Sequence, residues 1–457
     1  MGEKYQEVWV IWIHFFFEQW IDAHRVQFEE IAADIWDCPE ICYKEYHSAK
    51  LQKEFLSVAG FRVRDSVAGI ETAFVAEWGN GGPVIGLLGE FDALPQLSQQ
   101  CDVTEKSPIE PLGNGHGCGH HLLGTGAMEA ACMIRDYLEK NAIPGTIRYY
   151  GCPAEEGGGG KVFMLRSGCW NDVDVCLSWH PGPESYIWNS NLANARVKFN
   201  FHGISAHAGV APHLGRSALD AVELMNVGAN YLREHIIDAA RIHYAVTNTG
   251  GQAPNVVQAE AEVVYAVRAP KITEVSEIIE RVIHVAEGAA LMTGTTMEYQ
   301  IVSAYANYIS NDTLSEIMEK HAKEFLPISY TSEELAYARK FLKSDDRDKK
   351  ETPICSELQS VRGRIPFSTD VGDVSWCVPT CAMQVCCFSR DTQLHNWIAV
   401  AQGKATVAYK GMHAAAEILA ASAAEIFEDP DILHRVRTDF ENALGKDSYQ
   451  SLLPEKR

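Results

Sequence analysis

The sequence predicts an α/β fold, with a mainly parallel-sheet domain that has helices on both faces and a smaller α+β domain inserted into it. Short, continuous apolar runs at Val84–Leu88, Thr146–Gly151, Val173–Trp179 and Met383–Phe388 are typical of strands buried on both faces. Helical patterns such as Leu122–Leu138 separate the first three runs. Apolar strands that alternate with helices favour a parallel sheet, in which chemistry takes place beyond the carboxyl ends of the strands.

The inserted domain is predicted from a change of pattern between residues 191 and 304. Apolar and polar residues alternate at 195–202, as in a strand with one wet face. Helical and strand patterns then follow in the order β-α-β-β-α-β, which is the ferredoxin-like arrangement. We therefore assign 1–190 and 305–457 to a metal-binding catalytic domain and 191–304 to an inserted satellite domain. Residues 312–366 are expected to be helical and polar, with a solvated charged run at Lys343–Lys350.

Composition excludes several classes of function. The formal charge is −22, from 61 acidic and 39 basic residues, which argues against nucleic acid or an anionic membrane as the main partner. Thirteen cysteines, many inside apolar runs, indicate buried reduced thiols in a cytoplasmic protein. The apolar stretch Val8–Phe17 is too short for a membrane helix and lacks the basic start of a signal peptide. We expect it to form a first helix that packs on the domain or on a partner chain, with a membrane-surface anchor as the alternative.

A metal site is predicted from residues that follow the strand-like runs. Cys118 and His120 flank a glycine, so their side chains can converge on one point, and His180 and His395 lie in comparable turns. A thiolate binds metal strongly and is able to bridge two ions. The alternative is a structural cysteine beside hydrogen-bonded histidines.

Two adjacent carboxylates, Glu155 and Glu156, follow the second run in a glycine-rich loop. Adjacent side chains point in different directions, so one can bind metal while the other moves the proton of a metal-activated water. Asp92 follows the first run, where it either orients a ligand imidazole or only forms a turn. In the insertion, His207, Asn255 and Arg268 are candidates for an oxyanion donor and a clamp on a substrate carboxylate.

Four motifs carry a resemblance to a known family: Gly86–Leu94, Asn114–His120, Pro212–Val222 and Ser368–Trp376. With these motifs the chain resembles the dinuclear metallo-amidohydrolases and metallopeptidases that include aminoacylase, carboxypeptidase G, and the auxin-conjugate and hippurate hydrolases. The resemblance covers nearly the whole chain. It implies two divalent metal ions, manganese first and zinc next, and an inserted domain that forms a dimer.

The resemblance also implies roles for individual residues. Glu155 would be the general base, and His207 would stabilise the oxyanion in the active site of the partner subunit. Asn255 and Arg268 would hold the substrate. The implied metal ligands are Cys118, His120, Glu156, His180 and His395.

Two departures from the family pattern leave roles open. His121 stands where many relatives have an aspartate, so it is either a ligand, a supporting residue or neither. Glu90 stands where more distant relatives have a ligand histidine, and it is either an additional ligand or structural.

The expected function is cleavage of the amide that joins an acyl or aroyl group to an amino acid with a free carboxylate. A dipeptidase of the same fold is one alternative, and Asp370 or Asp373 would then bind the free α-amine. A non-catalytic metal-binding subunit of a heteromeric hydrolase is another. The expected assembly is a homodimer or a heteromer with a related subunit.

Overall fold

The structure, a computed structural model, describes residues 3–342, 352–360 and 365–455. It divides into two compact units. The first comprises 1–189, 309–363 and 374–448, and the second comprises 190–308, 364–373 and 449–457. The charged run Lys343–Lys350 lies outside the described residues.

The first unit is organised around a mixed sheet whose centre is parallel. Its strands are β1 Arg62–Arg64, β2 Phe74–Asn80, β3 Val84–Glu90, β4 Gly145–Cys152, β5 Val175–Gly182, β6 Glu184–Ile187, β11 Cys355–Leu358 and β12 Thr380–Cys386. Their order is β1-β2-β4-β3-β5-β12-β6-β11, and the neighbours β4, β3, β5 and β12 run parallel. These central strands are almost wholly buried because both faces of the sheet are covered. They coincide with the four apolar runs predicted from sequence, so the predicted parallel sheet is confirmed.

Helices cover this sheet and pack against it to form the core of the first unit. They are α1 Glu3–Asp37, α2 Tyr46–Val58, α3 His120–Asn141, α4 Gly160–Arg166, α7 Asp312–Phe325, α8 Ser332–Arg339, α10 Trp397–Gln402, α11 Thr406–Glu428 and α12 Pro430–Leu444. The short helix α9 Val371–Ser375 is divided along the chain between the two units. Ile13 and Phe17 of α1 are fully buried in the core of the unit, as the expected packing of this helix on the domain requires. Within the described residues, no helix has the length and apolar character needed to cross a membrane.

The second unit is an antiparallel sheet with two helices. Its elements are β7 Ala193–His202, α5 Ala218–Leu232, β8 Arg241–Asn248, β9 Glu260–Ala269, α6 Ile272–Thr293 and β10 Thr296–Tyr305. The strand order is β10-β7-β9-β8, and all three pairings are antiparallel. Val197, Phe199 and Phe201 of β7 are buried whereas Arg196 is exposed, which matches the predicted alternation. The predicted β-α-β-β-α-β order is confirmed.

One expectation is wrong in part. Residues 312–366 are not helical throughout, because Cys355–Leu358 forms the short edge strand β11, parallel to β6. A four-residue strand with polar Ser356 and Glu357 carries too little periodic pattern to be recognised from sequence.

Candidate metal centre

The turn that precedes α3 brings Cys118 to the end of β5. Gly119 has φ +79°, and a Cβ built on it would lie 2.7 Å from Pro181 Cγ, so only glycine fits here without strain. This close approach places Cys118 Sγ 3.4 Å from His180 Nε2. The rings of His120 and His180 meet edge to face with centroids 5.6 Å apart.

The five predicted ligands come together in two groups of three that share one thiol. Ligand atoms of Cys118, His120 and His180 all lie within 4.8 Å of one another, and so do those of Cys118, Glu156 and His395. A thiolate shared between two sets of nitrogen and oxygen donors is an arrangement that suits two neighbouring divalent ions.

The orientation of the imidazoles suits metal binding. His120 Nδ1 donates to Asp92 Oδ1 at 2.9 Å, and His180 Nδ1 donates to the Pro181 carbonyl at 2.7 Å. Both rings therefore present Nε2 to the thiol. Two buried atoms of the site, His120 Nε2 and Glu156 Oε1, have no hydrogen bond within the described part of the chain. His120 Nε2 lies 3.4 Å from Glu90 Oε2, and Glu156 Oε1 lies 3.2 Å from His395 Nε2. Buried polar atoms without hydrogen bonds are costly, so the donor set fits bound cations.

Charges within the centre favour the thiolate. Burial and the Glu156 carboxylate oppose ionisation of Cys118, but His180 and His120 outweigh them and lower the pKa of the thiol to about 5. The Cys118 and Glu156 side chains in turn raise the pKa of His395 to about 11. A thiolate is the form of cysteine that binds metal.

Asp92 links the two halves of the centre. While its Oδ1 accepts from His120, its Oδ2 accepts a hydrogen bond from the Glu156 backbone amide at 2.8 Å. One buried carboxylate thus orients an imidazole and holds the loop that carries the glutamates.

Glu90, whose role the sequence leaves open, is paired with a lysine. Its Oε1 lies 2.6 Å from Lys161 Nζ, and both side chains are buried. Ligand atoms of Glu90, His120 and Glu155 also lie within 4.8 Å of one another, so Glu90 faces the proposed base. Lys161, the first residue after the glycine run, was missed by the sequence analysis because its partner lies 71 residues away in the chain and nothing local marks the pairing.

His121 belongs to neither of the two candidate ligand groups. Its Nε2 donates to the Gly403 carbonyl at 2.8 Å, and burial lowers the pKa of the ring to about 3. In this structure it is a neutral side chain that anchors the start of α3 to the loop after α10.

His207, Asn255 and Arg268 belong to the second unit. The Ala208 amide donates to the Asn255 carbonyl at 3.0 Å, so the segments that carry His207 and Asn255 are adjacent. His207 Nδ1 accepts from the amides of Gly209 and Val210 at 3.1 and 3.2 Å. Arg268 on β9 donates to Ser368 Oγ at 3.0 Å.

Comparison with known proteins agrees with this architecture. A model of the peptidase dimerisation domain matches residues 187–291. The chain is 43% identical to one of the subunits of p-aminobenzoyl-glutamate hydrolase from Escherichia coli, over 97% of this chain and 98% of that protein. It is 30% identical to Xaa-Arg dipeptidase from Mus musculus, over 69% of this chain and 72% of that protein.

Solved structures show the same fold at lower identity. A dinuclear metal-binding peptidase of the M20 family from Bacillus subtilis superimposes with a TM-score of 0.61 at 18% identity, covering 89% of this chain and 99% of that one. An aminobenzoyl-glutamate utilization protein from Klebsiella pneumoniae gives 0.60 at 17%, covering 86% and 97%. The resemblance seen in the sequence motifs is confirmed, and the chain belongs to the M20 family of metallopeptidases and amidohydrolases.

Proposed function

We propose that this hydrolase cleaves the amide between an acyl or aroyl group and an amino acid with a free carboxylate, with p-aminobenzoyl-glutamate as the model substrate. The observation that carries the proposal is the pair of three-residue ligand groups that share Cys118, with Glu155 beside them. The 43% identity to a p-aminobenzoyl-glutamate hydrolase polypeptide supports this substrate class.

Cys118, His120 and His180 would hold one divalent ion, and Cys118, Glu156 and His395 the other, with manganese first and zinc next. When bound, such ions polarise the substrate carbonyl and acidify water. Glu155 takes the proton of the attacking water and passes it to the leaving amine, and its buried carboxylate beside Glu90 and His120 supports that role.

The second unit supplies substrate contacts in this proposal. Because His207 Nδ1 accepts two backbone hydrogen bonds, a neutral ring carries its proton on Nε2, the form that can donate to an oxyanion. His207 is proposed to act in the site of the partner subunit of a homodimer, through a dimerisation domain at 191–304. Arg268 and Asn255 hold the substrate carboxylate. Two different subunits of p-aminobenzoyl-glutamate hydrolase are among the relatives, which also supports a heteromer as an alternative assembly.

The proposed location is the cytoplasm. All thirteen cysteines lie among the described residues, and none of them forms a disulfide there. Many cysteines without disulfides are typical of proteins kept in a reducing compartment.

A dipeptidase is the second candidate, favoured by the similarity to Xaa-Arg dipeptidases. It requires an acidic group for the free α-amine. Asp370 and Asp373 are only 0% and 1% exposed, and the two oxygens of Asp373 accept from the Ala306 amide and the Tyr449 hydroxyl. This burial favours a substrate whose amine is blocked. The chain has all five ligand candidates together with Glu155, which lies close to His120, and this likewise disfavours a non-catalytic subunit.

The test is hydrolysis of p-aminobenzoyl-glutamate by metal-stripped protein after manganese or zinc is restored separately. We expect activity to return with manganese, less with zinc, and not in Glu155→Ala. Turnover of unblocked dipeptides without turnover of the aroyl substrate would favour the dipeptidase. Metal binding with no turnover until a related subunit is added would favour the non-catalytic role.

A further inference from the structure

Glu45 is a fully buried carboxylate between α1 and α2, with 0% of its surface exposed. Its Oε1 accepts from the amides of Tyr43 and Ala154 at 2.8 and 3.0 Å, and its Oε2 accepts from Thr72 Oγ at 2.9 Å. Burial of a carboxylate is costly, so its oxygens need partners. Three separate parts of the chain provide them here.

The Ala154 amide lies directly before the proposed base. The Glu156 amide, directly after it, is held by Asp92 Oδ2 at 2.8 Å. Two buried carboxylates from different elements therefore hold the backbone on either side of Glu155. Ala154 has φ +60°, a conformation that alanine adopts only where surrounding contacts impose it.

Tyr43 adds a second contact to the same loop. Its hydroxyl donates to the Gly158 carbonyl at 2.7 Å. A Cβ built on Gly158 would lie 2.7 Å from the Tyr43 ring and 2.6 Å from Cys42 Sγ. The segment 42–45 thus packs directly against the glycine-rich turn.

We propose that Glu45 is a positioning residue of the hydrolase, which fixes the loop of Glu155 and Glu156 by accepting the Ala154 amide. The inference rests on the proposed function, because it takes Glu155 as the base and Glu156 as a ligand. Glu45 acts through hydrogen-bond geometry and not through its charge. Misplacement of a reacting group by about 1 Å is enough to cost roughly 10²-fold in rate.

The test compares Glu45→Met, which removes the acceptor, with Glu45→Gln, which keeps it. In Glu45→Gln the amide oxygen still accepts both backbone amides, and the NH₂ group donates to Thr72. We expect Glu45→Met to lower kcat roughly 100-fold with little change in KM, and Glu45→Gln to stay within about threefold of wild type. Gln52→Met is the matched control, because Gln52 is also 0% exposed but bonds Ser48 and Tyr149, neither of which belongs to this loop.

Amide hydrogen exchange, followed by mass spectrometry without added metal, gives a readout independent of activity. The peptide 153–160 should exchange faster in Glu45→Met and at the wild-type rate in Glu45→Gln and Gln52→Met. Tyr43→Phe, which loses only the bond to Gly158, should show a smaller acceleration and a kcat about three- to tenfold lower. If Glu45→Met does not fold, Glu45→Asp decides the question, because its shorter side chain keeps the charge but withdraws the acceptor from the Ala154 amide.

Wild-type exchange and kcat in Glu45→Met, or in Glu45→Asp where that variant must decide alone, would overturn the inference. A loss in Glu45→Gln as large as in Glu45→Met would also overturn it, because charge would then be the requirement. Absence of amide hydrolysis by the wild type refutes the proposed function instead, and the exchange data still decide the role of Glu45.

Discussion

The metal centre and the loops that carry His207 and Asn255 are built in opposite ways. In the candidate metal centre, Asp92, Cys118 and His120 are at most 7% exposed, and side-chain hydrogen bonds join residues far apart in the chain. His395 is the exception, with a side chain that is 54% exposed. His207 and Asn255 are exposed, and backbone hydrogen bonds hold their segments together. The first arrangement fixes atoms in advance, as metal ions require. The second leaves side chains free to meet another surface. Substitutions in the two regions should therefore differ in what they disturb.

Replacement of the shared thiol should have the largest effect. Cys118→Ala removes a donor from both ligand groups, so we expect both ions to be lost after dialysis against a weak chelator and activity to fall by at least about 10³-fold. His395→Ala, which touches one group, should retain one ion per subunit. Mass spectrometry of the metal content per subunit distinguishes the two variants. Two ions retained in Cys118→Ala would show that the thiol is not shared between them.

Loss of the base should affect catalysis alone. Glu155→Gln keeps the shape of the side chain but cannot take a proton, so kcat should fall by about 10²–10⁴-fold while both ions stay bound. Steady-state kinetics and metal content on the same sample measure this. Near-normal turnover would refute the proposed mechanism.

His207→Ala should lower kcat by about 10²–10³-fold and leave metal content and thermal stability unchanged, because the side chain is exposed. Mixing this variant with Glu155→Gln, after subunit exchange, tests the role across the dimer. Half of the randomly formed dimers are then hybrids with one intact site, so activity should recover to about a quarter of wild type. No recovery would mean that His207 acts within its own subunit or not at all.

The last prediction concerns stability and not catalysis. His413, which is not a candidate ligand, forms a buried ion pair in the first unit, as Glu90 and Lys161 do. His413 Nδ1 lies 2.9 Å from Glu129 Oε2, and Nε2 lies 3.3 Å from Glu29 Oε1. Burial lowers the pKa of this ring, but the two carboxylates outweigh it and raise the pKa to about 10. Because the folded pKa exceeds the unfolded value of about 6.5, the stabilisation is complete below that pH and is lost as the pH rises toward 10.

Urea unfolding of wild type and His413→Gln at pH 6, 8 and 10 measures this contribution. The wild type should lose up to about 4 kcal/mol more of its unfolding free energy across this range than the variant. Equal pH slopes for the two proteins would show that the pair contributes nothing.

The comparison also explains how much the sequence could predict. The four central strands were recognisable because burial on both faces makes them continuously apolar, and the candidate ligands because cysteine, histidine and glutamate follow those strands in glycine-marked turns. Glu45 and Lys161 were not recognisable, because their partners Ala154 and Glu90 are set by the tertiary fold. The orientation of His121 toward Gly403 was equally unpredictable, since each of the roles left open for this residue fits the same motif.

The division of the first unit along the chain has a consequence for its synthesis. Cys118, His120 and His180 leave the ribosome before residues 190–308 of the second unit are made, but His395 and the core helix α11 follow only after them. The nascent chain thus carries the complete first group of candidate ligands well before strand β12 and helix α11 are added to the core. We therefore expect the thiol of a partly synthesised chain to be more open to metals and oxidants than that of the folded protein.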